Sequence, residues 1–148
     1  MNVTPGSQGN GEKTMEETNK ATGSNSGCTC SCGGELNVIY TCSGAADVGE
    51  ITDRAARKMM AEGAGKMSCL AGIGGRVSLL MATAEAASKI LAIDGCPQDC
   101  AKKTLDCAGI ENYRHLRVTD LGMIKGKSPV TDDRIEAVAS KGKELLSS

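Results

Sequence analysis

Residues 89–109, KILAIDGCPQDCAKKTLDCAG, carry the pattern that decides the fold. After Lys89, the next four residues are apolar and include two isoleucines, which predicts a buried strand over 89–93. Residues 97–108 have helical spacing; they begin with Pro97, which suits the first position of a helix, and they end before Gly109, a frequent C′ residue. A short strand that leads through a tight loop into a helix is the building unit of α/β folds.

The same alternation continues on both sides of this segment. We predict further strands over 37–41, 66–70 and 115–119. Three further helices are predicted: one starts at Asp47, one covers 76–88, and one starts after the capping residue Thr131. Short apolar strands alternating with helices favour parallel pairing with helices on both faces of the sheet. The predicted fold is therefore a three-layer α/β sandwich with a mainly parallel sheet of about four strands.

The first part of the chain has a different composition. Residues 1–34 are dominated by Gly, Ser, Thr and Asn, with no run able to bury an apolar face, so we predict a disordered tail that contains cysteines. The α/β domain is expected over 35–148. The amino terminus lacks the basic and apolar regions of a signal peptide, which favours a cytoplasmic protein.

Two classes of partner are disfavoured by composition. The net charge is −1, and two Tyr with no Phe or Trp leave no aromatic platform for bases, so nucleic acid is not an expected partner. The most apolar stretch, 77–93, is interrupted by Glu85 and Lys89 and is too short for a membrane helix, so no membrane is expected either. An unidentified protein or small molecule is the expected partner.

Three of the eight cysteines fall at the ends of predicted strands, and a fourth lies in the helix that follows the third strand. Cys42 follows the first strand, Cys69 ends the second, and Cys96 follows the third. The carboxyl ends of parallel strands meet at the edge where open α/β sheets bind ligands, so these three thiols should converge. With Cys96 at the N-cap of the next helix, Cys100 lies one turn later on the same side and joins them.

Zinc is the expected cofactor of this set of thiols. A helix amino terminus favours thiolates, and a tetrahedral site of four sulfur ligands would neutralise much of their charge. Two alternatives stay open. A thiol redox or sulfur-transfer enzyme would use the same cysteines as nucleophiles, whereas a partner-binding scaffold would only pack them in its core.

The remaining cysteines and the single histidine receive weaker interpretations. Cys28, Cys30 and Cys32 are interpreted first as a flexible thiol cluster, with a second metal site or metal delivery left open. Cys107 is predicted to be a core side chain. His115 is expected at the start of the fourth strand and is given no ligand role.

A family resemblance adds to these expectations. The segments IDGCPQDC at 93–100, YTCSG at 40–44, CLAGIGG at 69–75 and TDLG at 119–122 together resemble the DGC-domain family of predicted zinc-binding proteins, over residues 37–126. The resemblance implies four potential metal-chelating cysteines, which correspond here to Cys42, Cys69, Cys96 and Cys100. It implies no particular reaction.

Overall fold

The computed structural model of the protein describes residues 35–148. The predicted disordered tail, its boundary at residue 34, and the cysteines at positions 28, 30 and 32 lie outside the described residues.

Four strands and five helices alternate along the described part of the chain. The strands are β1 (Asn37–Thr41), β2 (Lys66–Met67), β3 (Lys89–Asp94) and β4 (Arg114–Arg117). The helices are α1 (Asp47–Ala61), α2 (Leu70–Gly74), α3 (Ser78–Glu85), α4 (Cys100–Ala108) and α5 (Asp132–Ser147), with a 3₁₀ turn at Val118–Leu121 after β4. This confirms the predicted α/β class.

The sheet is parallel and has the order β2-β1-β3-β4. The central pair is in register from Asn37 opposite Lys89 to Thr41 opposite Ile93. At the outer pair, Asp94 at the end of β3 lies opposite Arg117 at the end of β4. The chain thus moves from β1 outward to β2, crosses back over β1 to β3, and continues to β4.

Two apolar cores fill the space between the sheet and the helices. On one face, Ile39, Leu91 and Ile93 pack with residues of α1 and α5. On the other face, Tyr40 and Ala92 pack with residues of α2, α3 and α4. Alternate strand residues therefore face opposite cores, which confirms the three-layer sandwich.

The helix predicted over 76–88 is interrupted in the structure. Arg76 adopts a left-handed conformation with φ of 56°, and α3 begins only at Ser78. The guanidinium of Arg76 donates hydrogen bonds to the carbonyls of Cys107 (2.5 Å) and Ala108 (3.4 Å) at the end of α4. This tertiary contact satisfies carbonyls at a helix C-terminus, and helical periodicity alone could not reveal it.

Two strands also differ from their predicted extents. The second strand has two residues rather than five, so Cys69 lies beyond it, at the residue that precedes α2. The fourth strand covers Arg114–Arg117, and the residues from Val118 form the 3₁₀ turn instead of extending it. Within residues 35–148, no helix combines the length and apolar character needed to cross a membrane.

Candidate functional site

An open cavity of about 1110 Å³ lies at the carboxyl-terminal edge of the sheet. Its walls include four cysteines from separate parts of the chain: Cys42, Cys69, Cys96 and Cys100. The only other cysteine within residues 35–148, Cys107, does not line it. The predicted four thiols therefore share one cavity.

Strand order explains why the cavity forms here. β1 and β3 are neighbours, but their following segments lead to opposite faces of the sheet, α1 to one face and α4 to the other. Such a switch point leaves a crevice beyond the strand ends. Cys42 follows β1 and Cys96 follows β3 closely, so these two cysteines flank the crevice.

Cys42 is held by contacts on two sides. Its backbone N–H donates to the carbonyl of Ile93 (3.0 Å), which continues the pairing of β1 with β3 beyond the strand end. Its sulfur accepts a hydrogen bond from the backbone N–H of Gly95 (3.0 Å) and lies 3.8 Å from Oγ1 of Thr52. The Thr52 hydroxyl also lies 2.5 Å from the Cys42 carbonyl. The half-buried thiol of Cys42 is thus a fixed part of the site.

Burial raises the pKa of the Cys42 thiol above its ordinary value. The hydrogen bonds from Gly95 and Thr52 act in the opposite direction, and the nearby charges of Asp94 and Cys100 add to the increase. Burial disfavours the charged form, so the surroundings of Cys42 favour the neutral thiol over the thiolate.

Gly95 is required at this position by the close approach of α1. A Cβ atom at residue 95 would lie 2.9 Å from the carbonyl carbon and oxygen of Val48 and 3.0 Å from the nitrogen of Gly49. Those neighbours are backbone atoms of a buried helix, which cannot move away as a flexible side chain would. The glycine of the Asp-Gly-Cys triplet therefore lets the loop after β3 lie against α1.

The segment that carries Cys96 and Cys100 differs from its predicted form. α4 begins at Cys100, and Asp99 before it has φ of 53°, so neither Pro97 nor Cys96 belongs to the helix start. Instead, the N–H of Asp99 donates to the carbonyl of Cys96 (3.1 Å) and closes a turn. Pro97 favours a helix start only locally, and a more distant carboxylate determines where the helix begins.

That carboxylate belongs to Asp94, the last residue of β3. The Asp94 side chain is 1% exposed, and its two oxygens accept hydrogen bonds from the backbone N–H groups of Ala101 (2.8 Å) and Lys102 (3.0 Å). It thereby caps the N-terminus of α4, where a negative charge also interacts favourably with the helix dipole.

Two side chains of the neighbouring strand β4 contact Asp94 and Asp99. Nε2 of His115 donates to Oδ2 of Asp94 (3.0 Å). Arg117 makes a two-pronged contact with the carboxylate of Asp99, at 2.8 and 2.7 Å. The Arg117 guanidinium also holds the pKa of the Asp99 carboxyl below its ordinary value, and it reaches the exposed Asp120 at 3.2 Å.

Asp94, Asp99 and His115 form the one group of three in residues 35–148 whose potential metal-ligating atoms all lie within 4.8 Å of one another. Their contacts already account for this proximity. Asp94 caps α4, and Asp99 is paired with Arg117. We therefore interpret the group as a hydrogen-bonded network that supports the cysteine segment.

The four cavity cysteines are not drawn together as metal ligands in this conformation. Across the described residues, no three cysteine sulfurs lie within 4.8 Å of one another. In a tetrahedral zinc site, Zn–S bonds of about 2.3 Å would place the sulfurs about 3.8 Å apart. Cys69 and Cys100 are exposed, whereas Cys42 and Cys96 are half-buried. The structure thus brings the thiols to one cavity and leaves them apart within it.

The prediction that Cys107 is a core side chain is wrong. The residue is exposed on the outer side of α4, whose buried residues are Ala101 and Leu105. The spacing from Leu105 places Cys107 on a different side of the helix from the apolar stripe.

A loop after β4 completes the rim of the cavity with Lys125. Asp47, the first residue of α1, fixes this loop because its carboxylate accepts hydrogen bonds from the N–H groups of Gly126 (2.8 Å) and Ser128 (2.7 Å). The same hydrogen bonds lower the pKa of Asp47. Asp47 therefore joins the start of α1 to the loop that carries Lys125.

Sequence reasoning missed the supporting residues rather than the thiols. His115 and Arg117 were not assigned to the site, although they are two residues apart in β4 and therefore point to the same face of the strand. The sequence shows only that the two basic side chains are two residues apart; that β4 lies beside β3, which ends in Asp94, comes from the structure. Thr52 gave no signal, because a threonine on the buried side of a helix is ordinary.

Comparisons with known proteins agree with the family resemblance of the sequence motifs. The sequence profile of the DGC domain matches residues 38–141. A relative from Pseudomonas aeruginosa strain PAO1, the anaerobic and virulence modulator AnvM, is 36% identical over 90 residues, which cover 61% of this chain and 69% of AnvM. No solved structure matches the chain significantly.

The profile covers β1 except for Asn37, the strands β2 to β4, all four cavity cysteines, and the Asp94 and Arg117 side chains that support them. Fold and site therefore lie together within the matched region, and the chain belongs to the DGC domain family.

Proposed function

We propose that this protein binds zinc through Cys42, Cys69, Cys96 and Cys100. One observation carries the proposal: these four cysteines line a single cavity although they come from four separate positions, and the fifth described cysteine does not. Buried packing explains one or two such residues. It does not explain two exposed thiols, Cys69 and Cys100, facing the same space as two half-buried ones.

The donor set fits the metal by its chemistry. Thiolates are preferred ligands of zinc, and four of them match a tetrahedral site. The spacing of the sulfurs requires inward movement of the loops that carry them before all four can bind one ion. When bound, zinc would hold the four sulfurs as thiolates and contribute its binding free energy to the closed arrangement.

The cavity favours an exchangeable site over a closed structural one. Its volume of about 1110 Å³ is far larger than one ion with its ligands needs, and it slightly exceeds the range of about 300–1,000 Å³ that is typical of small-molecule sites. An incoming ligand would reach a zinc ion held there only by displacing one of its four thiolates. The proposed partner is therefore a small molecule or a protein segment that enters this cavity, in the reducing conditions of the cytoplasm, where thiols stay free.

The relative AnvM bears on the biological context. AnvM is described as an anaerobic and virulence modulator, and the match covers about two thirds of it. A regulatory role for this chain, in which metal or thiol state controls a partner, is consistent with that name and with an open thiol cavity.

A thiol redox or sulfur-transfer enzyme is the second candidate. One observation favours it: Cys100 is exposed at the first residue of α4. Helix starts stabilise thiolates. Such chemistry would need a disulfide, persulfide or other thiol-reactive substrate, and it would use the metal-free protein.

Elemental analysis tests the proposal. The full chain is purified under reducing conditions without added zinc, and the number of zinc ions per chain is measured by inductively coupled plasma mass spectrometry. We expect about one zinc per chain, lost in each of Cys42→Ser, Cys69→Ser, Cys96→Ser and Cys100→Ser. A Cys107→Ser variant is the matched control and should retain its zinc.

A second control separates the cavity from the amino-terminal thiols. A triple variant that replaces Cys28, Cys30 and Cys32 by Ser should keep the same zinc content. If zinc disappears only in this variant, the metal belongs to the tail and the proposal fails. If the wild-type protein carries no zinc and takes none up, while one cavity cysteine reacts rapidly with a disulfide, the redox candidate replaces it.

A further inference from the structure

Two acidic side chains belong to the Cys96–Cys100 segment and the residues just before it. Asp94 lies two residues before Cys96, and Asp99 lies immediately before Cys100. Both carboxylates are largely shielded from solvent, at 1% and 15% exposure. Each is held by a basic side chain of β4, His115 for Asp94 and Arg117 for Asp99.

This segment needs external support. Asp99 adopts a left-handed backbone conformation with φ of 53°, which is unfavourable for a non-glycine residue. The helix that follows has no side-chain cap from Asp99, whose carboxylate is turned toward Arg117 instead. The backbone angle at Asp99 sets the direction in which Cys100 leaves the turn, so the Arg117 contact acts on the position of that thiol.

The geometry of the Arg117 contact suits a positioning role. Nε and Nη2 bind the two carboxylate oxygens of Asp99 at 2.8 and 2.7 Å, which fixes the plane of the carboxylate as well as its distance. Arg117 is itself fixed, because it ends a strand whose register sets it opposite Asp94. Such two-pronged contacts restrict orientation in a way that a lysine cannot reproduce.

We propose that Arg117 and His115 are positioning residues that hold the Cys96–Cys100 segment in the shape that directs both thiols into the cavity. Arg117 acts through Asp99, and His115 acts through Asp94, which in turn caps α4. The inference rests on the proposed zinc function for its role in metal binding. Its structural part, the orientation of two thiols by β4, does not depend on any metal.

The test compares Arg117→Met with Arg117→Lys and with Asp120→Asn. Zinc affinity is measured by competition with a chromophoric chelator, and the alkylation rates of individual cysteines are measured by mass spectrometry in zinc-free protein. Loss of a group hydrogen-bonded to a metal ligand commonly lowers the affinity by about 10- to 100-fold, and Arg117 acts one residue further out, through Asp99, so the lower end of that range applies. We expect Arg117→Met to weaken zinc binding at least about tenfold, and Arg117→Lys to weaken it less, because it retains the charge.

Two controls distinguish positioning from general loss of structure. Asp120→Asn removes only the exposed outer partner of Arg117 and should leave zinc affinity within about twofold of the wild type. Cys107 lies on the same helix as Cys100 but outside the Cys96–Cys100 segment, so its alkylation rate should stay unchanged in every variant. The rate at the half-buried Cys96 should rise several-fold in Arg117→Met as the turn loosens.

Each outcome decides the inference. Unchanged zinc affinity together with unchanged rates at Cys96 and Cys100 overturns it. If the wild-type protein binds no zinc, the proposed function fails, and the alkylation rates alone decide the positioning role. If Arg117→Met also changes the rate at Cys107, the variant has lost structure, and Asp99→Asn takes its place. That substitution removes the charge and keeps a side chain that tolerates a left-handed backbone. His115→Phe tests the Asp94 contact by the same two measurements.

Discussion

The backbone N–H of Gly95 donates a hydrogen bond to the sulfur of Cys42 across the crevice between β1 and β3. The two residues follow neighbouring strands, so the contact ties the two loops that flank the crevice. It also distinguishes Cys42 from the exposed Cys69 and Cys100, because Cys42 is half-buried and held from two sides. We infer that Cys42 is the most firmly held of the four cavity cysteines.

Gly95→Ala should destabilise the protein. The added Cβ would lie 2.9 Å from backbone atoms of Val48, and overpacking against a fixed helix costs about 1–3 kcal/mol. Urea unfolding followed by circular dichroism measures the change. Gly44→Ala is the control: its nearest neighbour would be 3.9 Å away, so its stability should stay within about 0.5 kcal/mol of the wild type. Equal effects of the two substitutions would contradict the close approach of α1.

Thr52→Val should destabilise the protein through its lost hydroxyl. Thr52 is fully buried, and its oxygen lies 2.5 Å from the carbonyl of Cys42 and 2.7 Å from that of Gly49. Removal of a buried hydrogen-bonding partner costs about 1–3 kcal/mol. Thr83→Val serves as the comparison, since Thr83 makes a similar bond to Leu79 (2.8 Å) in an exposed setting and should change stability little. Comparable losses at both positions would argue against a special role for Thr52.

The cysteines of the metal-free protein should react with iodoacetamide in a defined order. Cys69, Cys100 and Cys107 are exposed and should be alkylated first at neutral pH, whereas Cys42 should react about tenfold more slowly, because burial shields it and raises its pKa. Peptide mass spectrometry after timed quenching gives the separate rates. In urea the four rates should become similar; a Cys42 that remains slow there would show that the fold is not the cause.

The pair of Asp99 and Arg117 predicts a specific response to acid. Arg117 lowers the pKa of Asp99 below its ordinary value of 3.8, so the stabilisation is present above that value and is lost as pH falls through the lower pKa of the folded state. The stability difference between wild type and Asp99→Asn should be constant from about pH 7 to pH 5 and should shrink below about pH 4. Urea unfolding at each pH measures it. A difference that persists unchanged at about pH 2 would rule out the ion pair as its source.

The periodic elements were predictable from the sequence because their signal is local. The apolar residues of 37–41 and 89–93 and the amphipathic spacing from Asp47 depend only on burial, so the strands, the first helix and the sheet class follow from them. Placement of Cys42, Cys69 and Cys96 at one sheet edge follows from the same reasoning, since parallel strands end on the same side.

The details of the site were not predictable because they depend on contacts between distant residues. Pro97 favours a helix start, but the carboxylate of Asp94 accepts the N–H groups of Ala101 and Lys102 and places the start at Cys100. Arg76 leaves a helical pattern and binds the end of α4. His115 has the pattern of an ordinary strand residue, and only the pairing of β4 with β3 brings its ring within 3.0 Å of the Asp94 carboxylate.

The placement of the crevice at a switch point has a mechanical consequence. Cys42 leads into α1 on one face of the sheet, and Cys100 opens α4 on the other. A single ligand that binds both sulfurs would link the two helical layers across the end of the sheet. Opening of either layer would then require the ligand to dissociate, and dissociation of the ligand would destabilise the packing of both layers. Ligand binding in the cavity and opening of the helical layers would be thermodynamically coupled.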